Sequence, residues 1–276
     1  MKDHTQNSFL QECIHSNKRL YVITGKGGVG KTTFSLALTK HLHSQGKKAV
    51  YINFENNVTV SEFTDQDIPV EIFELEKSTE LYMARKLKSE TIASWIIKIP
   101  FFRAIFFMVP GLWNLIIFGH ILDRLDKDED LVVILDSPAT GHALTMLESP
   151  LNFKKMFKTG MMVEDIDRTM KILTSEEQGQ VILLSLPSEL SIEEAIEAKG
   201  YINDLGISTT QIVINNSLKS FESEDLPEYL KSKIDDEKKA LSKYSIEGGS
   251  VPTFTYKYKK EIVLKMADFF TDARNG

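Results

Sequence analysis

The chain has 276 residues, 42% of them hydrophobic, and its 33 Lys and Arg against 39 Asp and Glu leave a net charge of −6. That is enough apolar material for one domain with a sizeable core, and the acidic balance argues against a nucleic-acid binder, which needs a basic face. The single cysteine, Cys13, has no partner for an internal disulfide and is most simply a reduced cytoplasmic thiol, and the segment Met1-Lys2-Asp3-His4-Thr5-Gln6-Asn7 is too polar for a signal peptide.

In chain order, the first element is a strand, Leu20-Tyr21-Val22-Ile23-Thr24, which reads as buried. It runs into Gly25-Lys26-Gly27-Gly28-Val29-Gly30-Lys31-Thr32-Thr33, where Gly25 and Gly30 frame a phosphate-binding loop closed by Lys31-Thr32. A phosphate chain needs many donors in a small space. Backbone N–H groups supply them only where the chain wraps closely, which Gly25, Gly27, Gly28 and Gly30 permit. The loop opens a helix whose Phe34, Leu36, Ala37, Leu38 and Leu42 form a buried face as far as about Ser44. Gly25, Gly27, Gly28, Val29, Gly30, Lys31, Thr32 and Thr33 are the expected ATP-binding set, with Lys31 reaching the β and γ phosphates and the Thr32 hydroxyl ligating Mg²⁺. Lys26, a second lysine within the loop, is either a solvated side chain or a cation aimed at phosphates across a dimer interface.

A strand follows at 48–54, then a block expected to be helical over 78–126. Residues 64–128 are expected as an apolar helical subdomain inserted into a single ATPase domain spanning 1–276. The most hydrophobic part, 94–122, is long enough to span a bilayer, but Lys98, Pro100, Arg103 and Pro110 interrupt it, which is costly in lipid. Two placements remain: helices buried on the domain or at a dimer interface, or an exposed groove or membrane-facing surface suited to an apolar helix.

The run Leu131-Val132-Val133-Ile134-Leu135 predicts a buried strand ending in Asp136, a carboxylate placed to hold Mg²⁺ through its waters. A Thr-Gly-His loop after such a carboxylate, here Thr140-Gly141-His142, can sense a γ phosphate and pass its state to the next helix, the logic of a switch segment. Helices are expected within 141–174, a strand at 180–186, a helix near 190–204, and a strand at 210–216. A charged helical stretch near 221–243, a strand at 251–256 and a helix at 260–271 complete the order, the last with Ile262, Val263, Met266, Phe269 and Phe270 as its apolar face. Strands alternating with helices predict an α/β fold, a doubly wound and mostly parallel sheet.

The loop with its early lysine, together with Asp136-Ser137-Pro138-Ala139-Thr140-Gly141-His142-Ala143-Leu144, resembles the deviant Walker A ATPases of the ArsA-like and tail-anchored-protein-targeting group. That group carries Asp-Thr-Ala-Pro-Thr-Gly-His-Thr-Leu there, so Pro138 and Ala139 are transposed in this chain. The resemblance implies that Lys26 acts in trans in a dimer, as a homodimer or with a related subunit. It implies that His142 belongs to the switch, and that an Asn at the end of the 212–216 strand reads adenine. Asn215 is favoured for that role and Asn216 is the runner-up. Where the group has an Asp that positions the attacking water, strand position brings Glu55, one methylene longer. Either Glu55 does that work or hydrolysis is slow, since misplacing the water by about 1 Å can cost ~10²-fold. Gly111 matches the group's Pro-Gly, but Trp113 and Asn114 replace the acidic pair after it. The dimer zinc of the targeting factors, held by Cys-x-x-Cys, has no ligands here.

The expected function is a cytoplasmic ATP-hydrolysing dimeric switch, coupled to binding or release of a hydrophobic or membrane-associated partner. Two alternatives stand beside it: an energising ATPase subunit of a membrane anion transporter, and a membrane-assembling switch with little turnover, peripheral at membranes.

Overall fold

A computed structural model of the protein describes residues 18–53, 62, 68–73, 75–99, 111–156, 161–221, 226–244, 246, 249–255 and 257–272. Glu55 and residues 100–110 of the apolar segment lie outside the described residues.

Strand β1 (Leu20–Gly25) forms because five consecutive apolar or β-branched residues can be buried on both faces of a parallel sheet, and all six of its residues are buried. It is followed by α1 (Lys31–Ser44) and β2 (Lys48–Asn53). A short strand β3 (Val70–Ile72) precedes α2 (Leu75–Leu87), α3 (Glu90–Ile97) and α4 (Leu112–Lys127). Then come β4 (Leu131–Asp136), α5 (Thr140–Met156), α6 (Met161–Thr174), β5 (Gly179–Ser185), α7 (Glu189–Asp204) and β6 (Thr210–Ser217). The helix α8 (Glu228–Tyr244), β7 (Ser250–Pro252) and α9 (Lys259–Asp272) close the chain.

Among the described residues the strands make one seven-stranded sheet in the order β3-β2-β4-β1-β5-β6-β7. Every neighbouring pair is parallel. Alternate side chains of each strand enter opposite cores. Tyr21, Ile23, Tyr51, Ile134 and Leu184 pack with Phe34, Leu38 and Leu42 of α1 and Val263, Met266 and Phe270 of α9. Leu20, Val22, Ile52, Val133 and Leu135 pack on the other face with Ile117, Phe118 and Ile121 of α4 and Met146 and Leu147 of α5. Leu183, Ile212 and Ile214 continue that face under α7 and α8. Helices on both faces of a parallel sheet are the doubly wound arrangement that the alternation predicts.

Three features differ from the sequence expectation, one being that β7 ends at Pro252 where a strand is expected to 256. The edge strand β3 lies within the 64–128 segment expected as a helical subdomain, just before the block expected as helical over 78–126. It is three residues long, follows Pro69, and carries Glu71 in its middle, so it has the brevity, proline and charge that edges tolerate but too little pattern to announce itself. The charged helix near 221–243 begins only at Glu228.

The apolar segment also divides. In α4, Leu115 to Phe118, Ile121, Leu122 and Leu125 are core. In α3, which Ser89 caps by accepting the Ile92 N–H at 3.3 Å, Ile92 is 50% and Trp95 67% exposed. Among the described residues no helix is long and apolar enough to cross a membrane.

Candidate functional site

The strand order sets the site. β1 lies between β4 and β5, and the registers Ile23 with Asp136 and Asn53 with Asp136 bring the carboxyl ends of β1, β2 and β4 level. Ligands of open α/β sheets sit at these ends.

The loop leaving β1 needs glycine at two positions in particular. A Cβ on Gly25 would stand 2.4 Å from the Leu184 carbonyl oxygen of β5. Gly30 has φ +93°, and its Cβ would stand 2.5 Å from Asn215 Nδ2. Gly30 is the N-cap of α1, and its carbonyl accepts the Phe34 N–H at 2.9 Å. Gly27 and Gly28 are exposed at the loop's tip, whereas Val29 is 2% exposed and anchors it in the core. Lys31 and Thr33 are half-buried in the first turn of α1, and Lys31 Nζ donates to the Lys26 carbonyl at 3.2 Å.

Thr32 and Asp136, 104 residues apart, meet: Thr32 Oγ1 donates to Asp136 Oδ2 at 2.7 Å. Asp136 is 4% exposed. Hydroxyl and carboxylate oxygens are the hard donors Mg²⁺ selects, with water and phosphate completing its shell, so this pair fits that ion. A third residue shares the carboxylate. The Tyr51 hydroxyl of β2 donates to the same Oδ2 at 2.8 Å. Burial first, then the Asp136 charge, holds the Tyr51 hydroxyl far above its ordinary range, so it remains a donor at every physiological pH. Sequence reasoning placed Tyr51 only within the 48–54 strand and gave it no role. The available signal was that a tyrosine in a buried strand needs a partner for its hydroxyl.

Asn215 is 6% exposed, and its Nδ2 donates to the Val29 carbonyl at 2.7 Å, so the end of β6 braces the phosphate-binding loop. The β6–β7 pairing shifts register between Ile214 and Ser217; within the shift Asn216 takes φ 62°, a conformation Asn tolerates, and is exposed. The buried Glu237 of α8 holds the following turn, accepting the Leu218 N–H at 2.9 Å and the Ser217 hydroxyl. Beside this turn, at the ends of β5, β6 and β7, lies a cleft of about 570 Å³ lined by Leu186, Pro187, Asn216, Thr253, Glu237 and Lys243 among others.

Lys26 is not folded onto its own loop. Its side chain is 55% exposed, and Nζ lies 2.7 Å from Glu194 Oε1 on α7. The segment after Asp136, expected to act as a switch, starts in the core, where the Ser137 hydroxyl donates to the Ile23 carbonyl at 2.9 Å, and emerges at Thr140 to begin α5, with His142 exposed in its first turn. The same helix supports the insertion: Asn114 Nδ2 of α4 donates to Ser149 Oγ at 2.8 Å. Trp113 meets the Phe73 ring edge to face at 5.0 Å.

A parallel α/β sheet with a glycine loop and a Thr–Asp pair at its centre defines a P-loop nucleotide-binding protein. The family model described as Anion-transporting ATPase matches residues 18–162 and 157–263. The chain belongs to that family of ATPases. Among curated relatives, "ATPase BagA" of Mycobacterium tuberculosis is 23% identical over 244 residues, 80% of this chain and 72% of its own length. "Putative arsenical pump-driving ATPase 2" of Aquifex aeolicus is 21% identical over 290 residues, 89% of this chain and 95% of its own. "ATPase ASNA1 homolog 1" of Paramecium tetraurelia is 27% identical over 139 residues, 46% of this chain and 42% of its own.

Proposed function

We propose that the chain is an ATP-hydrolysing switch that closes as a dimer on ATP and couples closure to a hydrophobic partner. The observation that carries this reading is the division of labour between the two loop lysines: Lys31 stays within the loop, while the Lys26 ammonium stands outside it on an exposed flank. A cation so placed suits a phosphate tail arriving from a second protomer. Closure would bring Lys26 of each protomer to its partner's phosphates.

In this reading the loop amides and Lys31 bind the phosphates. Thr32 and Asp136 hold Mg²⁺, which when bound neutralises charge on the β and γ oxygens. Tyr51 fixes the carboxylate's orientation by donating to it. Asn215 offers its amide carbonyl to the adenine amine while its nitrogen braces Val29, and Asn216 and the cleft beside it border the base. Glu55 orients the attacking water. Glu55→Gln is expected to slow hydrolysis by roughly 10²-fold with ATP affinity unchanged; a rate equal to that of the wild type would remove Glu55 from the site.

The partner surface is assigned to α3, whose Ile92 and Trp95 are one helical turn apart and both half or more exposed. An aromatic anchor of this kind is the type of residue that dominates interfaces. Trp95→Glu is expected to weaken binding of an apolar helical peptide by at least about 30-fold, a loss of about 2 kcal/mol. Fluorescence titration with such a peptide tests this, and equal affinity for both forms would move the partner site elsewhere.

A further inference from the structure

Lys26 has a specific resting partner. Glu194 Oε1 accepts from its ammonium at 2.7 Å, although the two residues are 168 positions apart. Glu194 is carried on a fixed base, because Ile192, Ala195 and Ala198 of α7 are buried against Leu183, Ile212 and Ile214 of the sheet. The pair stands at a cleft of about 420 Å³ whose other lining includes Ala139, Thr140 and Gly141, where the switch segment enters α5. The ion pair therefore ties the phosphate-binding loop to α7 beside the switch.

For one ammonium to serve Glu194 and a second protomer's phosphates at once, the carboxylate would have to stand beside a polyanion that repels it, so the two compete for Lys26. We propose that Glu194 is a latch in cis: it holds Lys26 in the resting protomer and gives it up when two ATP-loaded protomers meet, so the pair sets the threshold for closure. The inference rests on the dimer reading above. The energetics suit a latch that opens. With side chains 55% and 42% exposed, the pair is solvated and weak, worth no more than roughly fivefold in an equilibrium constant. A triphosphate tail in a closed, water-poor interface carries several charges and outcompetes one exposed carboxylate. Two latches open per dimer, so their combined effect on closure reaches at most about 25-fold.

Glu194→Gln keeps the side chain's size and removes its charge. Sedimentation with Mg²⁺ and a non-hydrolysable ATP analogue is expected to show this variant dimerising at several-fold lower protein concentration, with basal turnover raised at sub-saturating protein. The gain should shrink in high salt, which screens the pair. It should be absent when Lys26→Ala is compared with the Lys26→Ala/Glu194→Gln double variant. In the wild type, zero-length carbodiimide coupling should join Lys26 to Glu194 within one chain, and the analogue should lower its yield. If Lys26→Ala has lost turnover but Glu194→Gln dimerises as the wild type does or less readily, the latch is refuted and the dimer reading stands. Undiminished turnover in Lys26→Ala refutes the dimer reading and the latch with it.

Discussion

Replacing Lys26 by Ala is expected to lower ATP turnover by roughly 10³-fold or more, the scale on which a cation supplied in trans stabilises phosphoryl transfer. ATP binding should persist, because the loop amides, Lys31 and the Thr32–Asp136 pair are untouched. Stability should also hold. Lys26 is exposed and its ion pair is at the surface, so the change in folding free energy should stay within about 0.5 kcal/mol. The decisive measurement is complementation. Lys26→Ala and Lys31→Ala are each expected to be inactive alone. In a mixed dimer, the Lys26→Ala protomer keeps its own Lys31 and receives Lys26 from its partner, so one site is complete. Activity on mixing supports transfer in trans, and silence on mixing, with dimers present, points to Lys26 acting within its own chain.

Asp165→Ala is expected to cost about 3–5 kcal/mol of folding free energy, the range for removing one member of a buried ion-pair network. Asp165 is 5% exposed and collects Lys86 at 2.7 Å and Arg85 at 3.4 Å from α2, and Arg168 at 3.3 Å from α6. Arg85 also pairs with Asp123, and Arg168 with Asp126, both on α4. The carboxylate also helps, after burial, to hold the Tyr82 hydroxyl above its ordinary range. Removing it withdraws the anion that three cations of α2 and α6 share, two of which also pair with carboxylates of α4. Denaturant unfolding measures the loss, and a shift under 1 kcal/mol would mean that the network is solvated and weak. The helices it joins lead from the switch helix's successor, α6, to the α2–α3 pair that carries Trp95. A folded Asp165→Asn protein should therefore also show weaker dependence of peptide binding on nucleotide.

Most of the frame was legible because its signals are local. The strands β1, β4, β5 and β6 are apolar runs buried on both faces. The helix α1 follows from the glycine loop before it, and Val263, Met266 and Phe270 show α9's helical spacing. Thr32 and Asp136 could be paired in advance because each stands at the end of a recognisable strand-and-loop unit. The three-residue β3 could not be foreseen, since Val70 to Ile72 offer too short a pattern and gain strand geometry only from pairing with β2. The division of the apolar segment was also hidden. Leu115 and Trp95 are both large apolar residues of one continuous run, and only the helix packing buries one and exposes the other.

The sequence alone determined the glycine loop, the carboxylate at the end of β4, the parallel alternation and the presence of a second loop lysine, because these depend on backbone geometry and periodicity over a few residues. Only the tertiary structure decided what those groups touch. Tyr51 reaches Asp136 across 85 residues, and Asn215 braces Val29 across 186. Such contacts are fixed by strand order and register, which arise from the packing of the whole sheet and leave no mark in the spacing of neighbouring residues.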